Sequence, residues 1–202
     1  LRPQGQDIGR TWPFSTVVRA DLEFGALPWK HAGLSGWILD SDHKKMSKSK
    51  GNVVTPMGIL EKYGSDAVRY WAASARLGLD AAFDEQQMKI GRRLAIKVLN
   101  ASKFALTMGG EGAAIDLDPA LVTVPLDRSV LAALASVIDE ASAALASYEH
   151  SRALEVTESF FWTFCDDYLE LVKERAYNRE GAWDEASVAS ARAALALVID
   201  TV

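Results

Sequence analysis

A mainly α fold with a small α/β part near its start is predicted for this 202-residue chain by three features. Apolar residues recur at helical spacing through most of residues 84–202, in long runs separated by short polar turns. The apolar run Ala32–Leu39 ends in Asp40-Ser41-Asp42, as a buried strand of a parallel sheet ends in a turn. A basic loop, Lys44-Lys45-Met46-Ser47-Lys48-Ser49-Lys50-Gly51-Asn52, follows that turn directly. In open α/β sheets ligands bind beyond the carboxyl ends of strands, which is where this loop leaves.

In chain order, Leu1–Trp12 reads as a strand passing into a turn at Gly5-Gln6-Asp7. Small residues at such a junction let backbone approach a ligand, and an Asp there can accept from ribose hydroxyls; as a plain helix N-cap it would do neither. A helix over Ile8–Leu22 is compatible with Pro13 only if it begins near that residue. After the loop, Thr55-Pro56 is an N-cap and first-turn pair for a helix that stops at Gly64. Ser65 caps the next, to Ser74, and Gly78–Phe83 reads as irregular. Asp84-Glu85-Gln86-Gln87 has the form of a capping box and opens a helix to Met108, closed by Gly109-Gly110. Its apolar stripe is Ile90, Leu94, Val98, Ala101, Ala105 and Met108.

Residues 111–125 form a loop, and Asp127 is read as the cap of a helix to Tyr148. A helix over Ser151–Tyr177 buries Phe161, Phe164, Cys165, Tyr168 and Val172 and turns Glu158, Asp166, Asp167, Glu170 and Glu174 outward. Gly181–Asp184 turns into a last helix, Glu185–Val202. Four such helices joined by short loops predict an antiparallel bundle.

The net charge of −5 hides an asymmetry. Residues 1–110 carry sixteen Lys/Arg and ten Asp/Glu, whereas residues 111–202 carry six and seventeen. A polyanion should therefore meet the first half. One cysteine excludes an internal disulfide framework and fits a reducing, cytoplasmic setting. The three histidines lack metal-ligand spacing. No run approaches the ~18 uninterrupted apolar residues of a membrane span. The chain opens at Leu1, without methionine, in what reads as the interior of a domain, so a piece of a longer protein is expected.

The basic loop holds four lysines in seven residues, no acid, and only Met46 as an apolar side chain. Ammonium groups, serine hydroxyls and a glycine that permits a tight turn suit a polyphosphate. A lysine-rich run is ordinarily a solvated face; here the order of the residues separates the two readings. A second basic surface is the acid-free helix face bearing Lys89, Arg92, Arg93, Lys97, Asn100 and Lys103, suited to an RNA backbone or to plain solvation.

Lys45-Met46-Ser47-Lys48-Ser49 matches letter for letter the KMSKS signature of class I aminoacyl-tRNA synthetases. Further stretches resemble the valyl-tRNA synthetases, in their archaeal-like version: Arg2-Pro3-Gln4-Gly5-Gln6-Asp7-Ile8, Arg10-Thr11-Trp12, Pro28-Trp29-Lys30-His31, Ser35-Gly36-Trp37, Tyr63-Gly64-Ser65-Asp66-Ala67-Val68-Arg69, Asn100-Ala101-Ser102-Lys103-Phe104, and Phe161-Trp162 with Phe164-Cys165-Asp166. The resemblance implies the second half of a Rossmann-like nucleotide-binding fold (residues 1–43), a signature loop and stem-contact region (44–88) and a truncated anticodon-binding helical bundle (89–202). It implies a ligase that activates valine with ATP, with Mg2+ expected and no protein-ligated metal, and transfers it to tRNA(Val). No membrane and no obligate protein partner are implied.

Lys45 and Lys48 would act as the catalytic lysines. Met46, Ser47, Ser49, Gly5, Asp7, Gly36 and Trp37 would complete the ATP contacts. Arg92, Arg93, Lys97, Asn100 and Lys103 would meet tRNA.

The chain lacks the His-x-Gly-His motif of that class. The segment alone is therefore expected to be inactive and its lysine loop mobile. Gly9 and Pro13 stand where relatives are usually apolar, so the first helix is expected to start late. The alternatives are a piece of an isoleucyl enzyme, a non-catalytic helical RNA-binding module and a general polyphosphate binder.

Overall fold

The computed structural model describes residues 1–108 and 116–202, which divide into two compact units, Leu1–Arg92 and Arg93–Val202. The first unit opens with β1 (Arg2–Gly5), a short 3-10 turn and α1 (Trp12–Phe24), followed by β2 (Ala32–Ser35). β1 and β2 run parallel, Arg2 opposite Ala32 and Gly5 opposite Ser35, so α1 is the crossover that a parallel pair requires. As expected from Pro13, α1 starts late, with the proline in its first turn; it ends at Gly25, whose left-handed φ of 63° turns the chain out. No residue of α1 is buried, and Trp12, Phe14, Leu22 and Phe24 lie open.

The single buried strand expected over Ala32–Leu39 is instead two short strands, neither of them buried: β2, and β3 (Ile38–Leu39) in a separate sheet. The break has a cause distant in sequence. The backbone of Leu79–Asp80 lies against Gly36 so closely that a Cβ there would sit 2.1 Å from the Leu79 carbonyl oxygen. Next door, the Trp37 N–H donates to Asp80 Oδ1 (2.7 Å), and the Trp37 carbonyl accepts from the Ala81 N–H. β3 continues from there, parallel to β4 (Ala81–Ala82), a strand inside the stretch that reads as irregular. Two alanines carry no strand preference to betray it.

α2 (Pro56–Tyr63) and α3 (Ser65–Ser74) share Gly64, which ends one helix and begins the next. Tyr63, Ala67 and Met88 form the small core of this unit, bordered by Ile59, Val68, Trp71 and Phe83. The Trp71 indole N–H donates to the Ala82 carbonyl and ties α3 to β4. Glu85 accepts from the Tyr63 hydroxyl and from Lys62, which hold its carboxyl below the usual carboxylate range.

Asp84 Oδ1 accepts from the Gln86 N–H (2.7 Å) and starts α4 (Glu85–Thr107). Gly91 of that helix faces Tyr70, and a Cβ there would lie 2.5 Å from the tyrosine Cβ. Gly91→Ala is therefore expected to destabilise the chain by about 1–3 kcal/mol, an overpacking cost exceeding the ~1 kcal/mol that helix propensity would return. A lowered urea midpoint checks this; a raised one would mean that α3 moves aside freely.

In the second unit Ala101, Ala105 and Met108 are buried as the stripe predicts, but Val98 is exposed. The expected stop at Gly109-Gly110 lies outside the described residues. Asp118 caps a 3-10 turn at Pro119–Leu121. Then come α5 (Pro125–Ala146), α6 (His150–Thr163), a π-helical segment Phe164–Tyr168, α7 (Leu169–Tyr177) and α8 (Glu185–Thr201), the last capped by Asp184. α5 packs on α6 and α8, and α7 on α8. Phe161, Phe164, Tyr168, Val172, Leu195 and Val198 centre the core, with Phe164 and Tyr168 rings stacked at 5.8 Å. Burial pushes the Cys165 thiol up to about 11. Among the described residues α5 is the one helix long and apolar enough to cross a membrane; here Val130, Leu134 and Ala144 are buried.

Asp127 is not the cap of α5. It sits inside the first turn, fully buried. Its Oδ1 accepts from the Tyr168 hydroxyl (2.8 Å) and Arg175 Nη2 (2.5 Å), and its Oδ2 from Arg175 Nη1 (2.8 Å) and the Ser190 hydroxyl (2.6 Å). Ser190 Oγ in turn accepts from the N–H groups of Thr123 and Val124. The chain entering α5 is thus held by a serine of α8, and the aspartate that resembles a cap joins α5 to three other helical segments.

Candidate functional site

The lysine loop leaves the carboxyl end of β3 through a tight turn. Asp40 Oδ1 accepts from the N–H groups of Asp42 (3.0 Å) and Lys44 (2.8 Å), and Lys45 bridges back to Leu39. The Lys44 N–H first, then the Asn52 amide, hold the Asp40 carboxyl below the usual carboxylate range. Lys48–Lys50 make one 3-10 turn, and Gly51, at φ 68°, reverses the chain. The Ser47 and Ser49 hydroxyls lie 2.7 Å apart. These bonds all lie within residues 39–52. Met46 and Ser47 are half-buried, and Lys44, Lys45, Lys48, Ser49 and Lys50 are exposed.

Three of the residues expected at a nucleotide meet here. Lys45 Nζ lies 3.1 Å from the centroid of the Trp37 ring and 3.8 Å from Asp7 Oδ1. Trp37 is fixed by its bond to Asp80, and Gly36 beside it by the backbone packed on its Cα. Gly5 ends β1 with open space where a side chain would be, none within 4 Å, so a ligand can come up to its backbone. Lys48 stands apart at the turn, exposed and in no ion pair among the described residues. The site thus combines an acid, an aromatic face and a cation in contact, a glycine at the end of β1, and a second cation on the turn that follows. Asp40 registers in the sequence only as a turn former, Asn52 only as the amide that, with Gly51, follows the signature in many members of the resembled family, and Asp80 not at all. The one available signal is that Asp40 and Asn52, small groups with complementary donors and acceptors, bracket the lysines.

The basic face of α4 is partly consumed by its own fold. Arg92 Nη1 donates to the Tyr63 carbonyl (3.0 Å). Lys97 pairs with Asp166 at 3.0 Å, which raises its pKa. Arg93 and Lys97 both lie over the Trp162 ring, at 5.5 and 5.7 Å. Asn100 and Lys103 point outward. No group of three or more His, Cys, Asp or Glu side chains suited to a metal occurs among the described residues.

Residues 2–84 match the family described as tRNA synthetases class I (I, L, M and V), and residues 127–202 match the anticodon-binding domain of tRNA ligase. The Valine--tRNA ligase of Thermobifida fusca (strain YX) is 67% identical over 202 residues, 98% of this chain and 22% of that protein. That of Leifsonia xyli subsp. xyli is 66% identical over 198 residues, 96% of this chain and 23% of that protein. The chain therefore spans less than a quarter of the curated relatives it matches. Among solved structures, Mycobacterium tuberculosis methionyl-tRNA synthetase in complex with methionyl-adenylate shares the fold at a TM-score of 0.72 and 22% identity, covering 98% of this chain and 39% of that one. The ternary complex of LeuRS, tRNA and LeuAMS from Agrobacterium radiobacter K84 does so at 0.66 and 20%, covering 94% and 23%.

Proposed function

This chain belongs to the class I aminoacyl-tRNA synthetases, and we propose that the whole protein is a valine–tRNA ligase, working in the cytoplasm on ATP, valine and tRNA(Val). Residues 1–43 would be the second half of the Rossmann-like fold, 44–88 the signature loop and stem-contact region, and 89–202 part of an antiparallel anticodon-binding bundle. The observation that carries the reading is the intact Lys45–Ser49 signature at the carboxyl end of a parallel strand, beside Asp7 and Trp37.

In the first step the valine carboxylate attacks the α-phosphate of ATP. Pyrophosphate leaves and valyl-adenylate forms; a hydroxyl at the 3′ end of the tRNA then takes the acyl group, and AMP leaves. Such a transfer needs positioning and charge stabilisation more than covalent help. Asp7 would accept from the ribose hydroxyls while the Gly5 backbone lies under the nucleotide. The Gly36–Trp37 backbone would border the adenine. Lys45 rests on Asp7 and Trp37, so a nucleotide arriving there competes for the same groups and frees the ammonium to swing toward the phosphates. Lys48 would stabilise charge developing on the leaving pyrophosphate, with Ser47 and Ser49 as neutral donors. Mg2+ would arrive with the ATP. On α4, Asn100 and Lys103 are the groups free enough to meet an RNA backbone; Arg93 would have to leave the Trp162 ring to do so, and Arg92 and Lys97 serve the fold.

Valine-dependent ATP–pyrophosphate exchange by the full-length protein tests the proposal. Exchange with valine well above isoleucine is expected, and none by the 202-residue chain alone. Preference for isoleucine would move the assignment to the isoleucyl enzymes. Absence of exchange with both, with RNA binding kept, would make the protein a binding module.

A further inference from the structure

We propose that Asn52 and Asp40 are the positioning residues of the lysine loop, a side-chain clasp that shuts the loop at its base and aims Lys45 and Lys48. The proposal rests on the reading of this loop as the phosphate-stabilising element, and it assigns work to two residues outside the five-letter signature.

The clasp is built from one planar amide used on both sides. Asn52 Oδ1 accepts from the Ser47 N–H (2.9 Å). Asn52 Nδ2 donates to Asp40 Oδ2 (2.7 Å) and to the Lys45 carbonyl (3.3 Å). Asp40 uses its other oxygen on the N–H groups of Asp42 and Lys44, and its own N–H donates to the Lys44 carbonyl. Main-chain groups of residues 44, 45 and 47 are thereby fixed by two side chains that enter from the two ends of the loop. Gly51 in its left-handed conformation brings Asn52 back to Ser47, so Lys48 sits on a closed turn instead of an open strap.

Only a group with one acceptor and one donor fits position 52. An aspartate would keep the bond to the Ser47 N–H but would set its second oxygen against the Asp40 carboxylate and the Lys45 carbonyl, three acceptors with no proton among them. An asparagine at position 40 would keep its bonds to the turn and face Asn52 donor to donor. Exchanging the two residues restores the bond between positions 40 and 52, with the amide now on position 40, and gives up only the longer bond to the Lys45 carbonyl.

That exchange separates positioning from simple folding. In the full-length protein, Asn52→Asp and Asp40→Asn are each expected to lower kcat for ATP–pyrophosphate exchange by roughly tenfold to a hundredfold, the scale of a displacement of about 1 Å, with KM for ATP within about threefold. The double variant D40N/N52D is expected to recover most of the loss. In the 202-residue chain, amide exchange at Ser47 and Lys44 should quicken in each single variant and slow again in the double, with the thermal unfolding midpoint unchanged throughout. Lys48→Ala is run beside them. If Lys48→Ala collapses the rate and the single variants do not, the clasp is not needed and the proposal falls. If the single variants lose rate and midpoint together and the double does not recover, their role is structural and the proposal falls as well. If Lys48→Ala leaves the rate intact, the phosphate reading itself has failed.

Discussion

Replacing Lys48 with alanine in the full-length protein is expected to lower kcat for ATP–pyrophosphate exchange by about 10²–10³, with KM for valine little changed. Lys48 is the lysine of the signature with nothing else to do. It is exposed, it stands on a closed 3-10 turn, and it forms no ion pair among the described residues. Its removal therefore subtracts a charge without unsettling a contact, and the unfolding midpoint should not move. Lys48→Arg should recover only part of the rate, because a planar guanidinium does not replace a compact ammonium on a flexible stem. A rise in KM for ATP with kcat preserved would show that Lys48 binds substrate and transition state alike, and would remove it from the chemistry. Lys45→Ala differs in kind, since that lysine also covers Trp37 and Asp7.

The largest stability effect is expected at Asp127. Asp127→Ala should cost about 3–5 kcal/mol in urea unfolding of the 202-residue chain, the penalty for leaving a buried charge without its partner. The carboxylate is wholly buried, and Arg175 is nearly so. Its loss strands a guanidinium, a tyrosine hydroxyl and a serine hydroxyl together. Replacing both charged partners with apolar residues of similar volume, Asp127→Leu with Arg175→Met, should recover much of the loss, because the pair must repay its own desolvation. A cost below about 1 kcal/mol for Asp127→Ala would mean that water enters and serves the arginine.

What could be read from the sequence depended on how far away the cause lay. The signature loop, its place after a strand, the helix start at Pro56 and the helix stop at Gly64 depend on neighbours a few residues off. Gly36 breaks the expected strand because of Leu79–Asp80, more than forty residues on, and no periodicity records that approach. Asp127 has the composition and position of a cap, and its partners lie 41, 48 and 63 residues away. The basic stripe of α4 and the acidic face after Ser151 were each visible, but their meeting at Lys97 and Asp166 was not. At the site, Gly5, Asp7 and the lysines stood out by residue type, and Trp37 through the family resemblance. The part of Asp40 and Asn52 was not legible, because it is played through hydrogen bonds that begin and end within residues 40–52.

The π-helical turn at Phe164–Tyr168 fixes where chain length can vary in the helix from His150 to Tyr177. One turn there already holds a residue more than an α turn needs. Dropping one of its residues would close it to ordinary geometry and leave both flanks facing as they do. An insertion or deletion elsewhere in the helix would swing everything beyond it by about 100°, carrying Val172, Arg175 and Ala176 out of the core. Length differences of one residue between homologous chains should therefore gather at this turn.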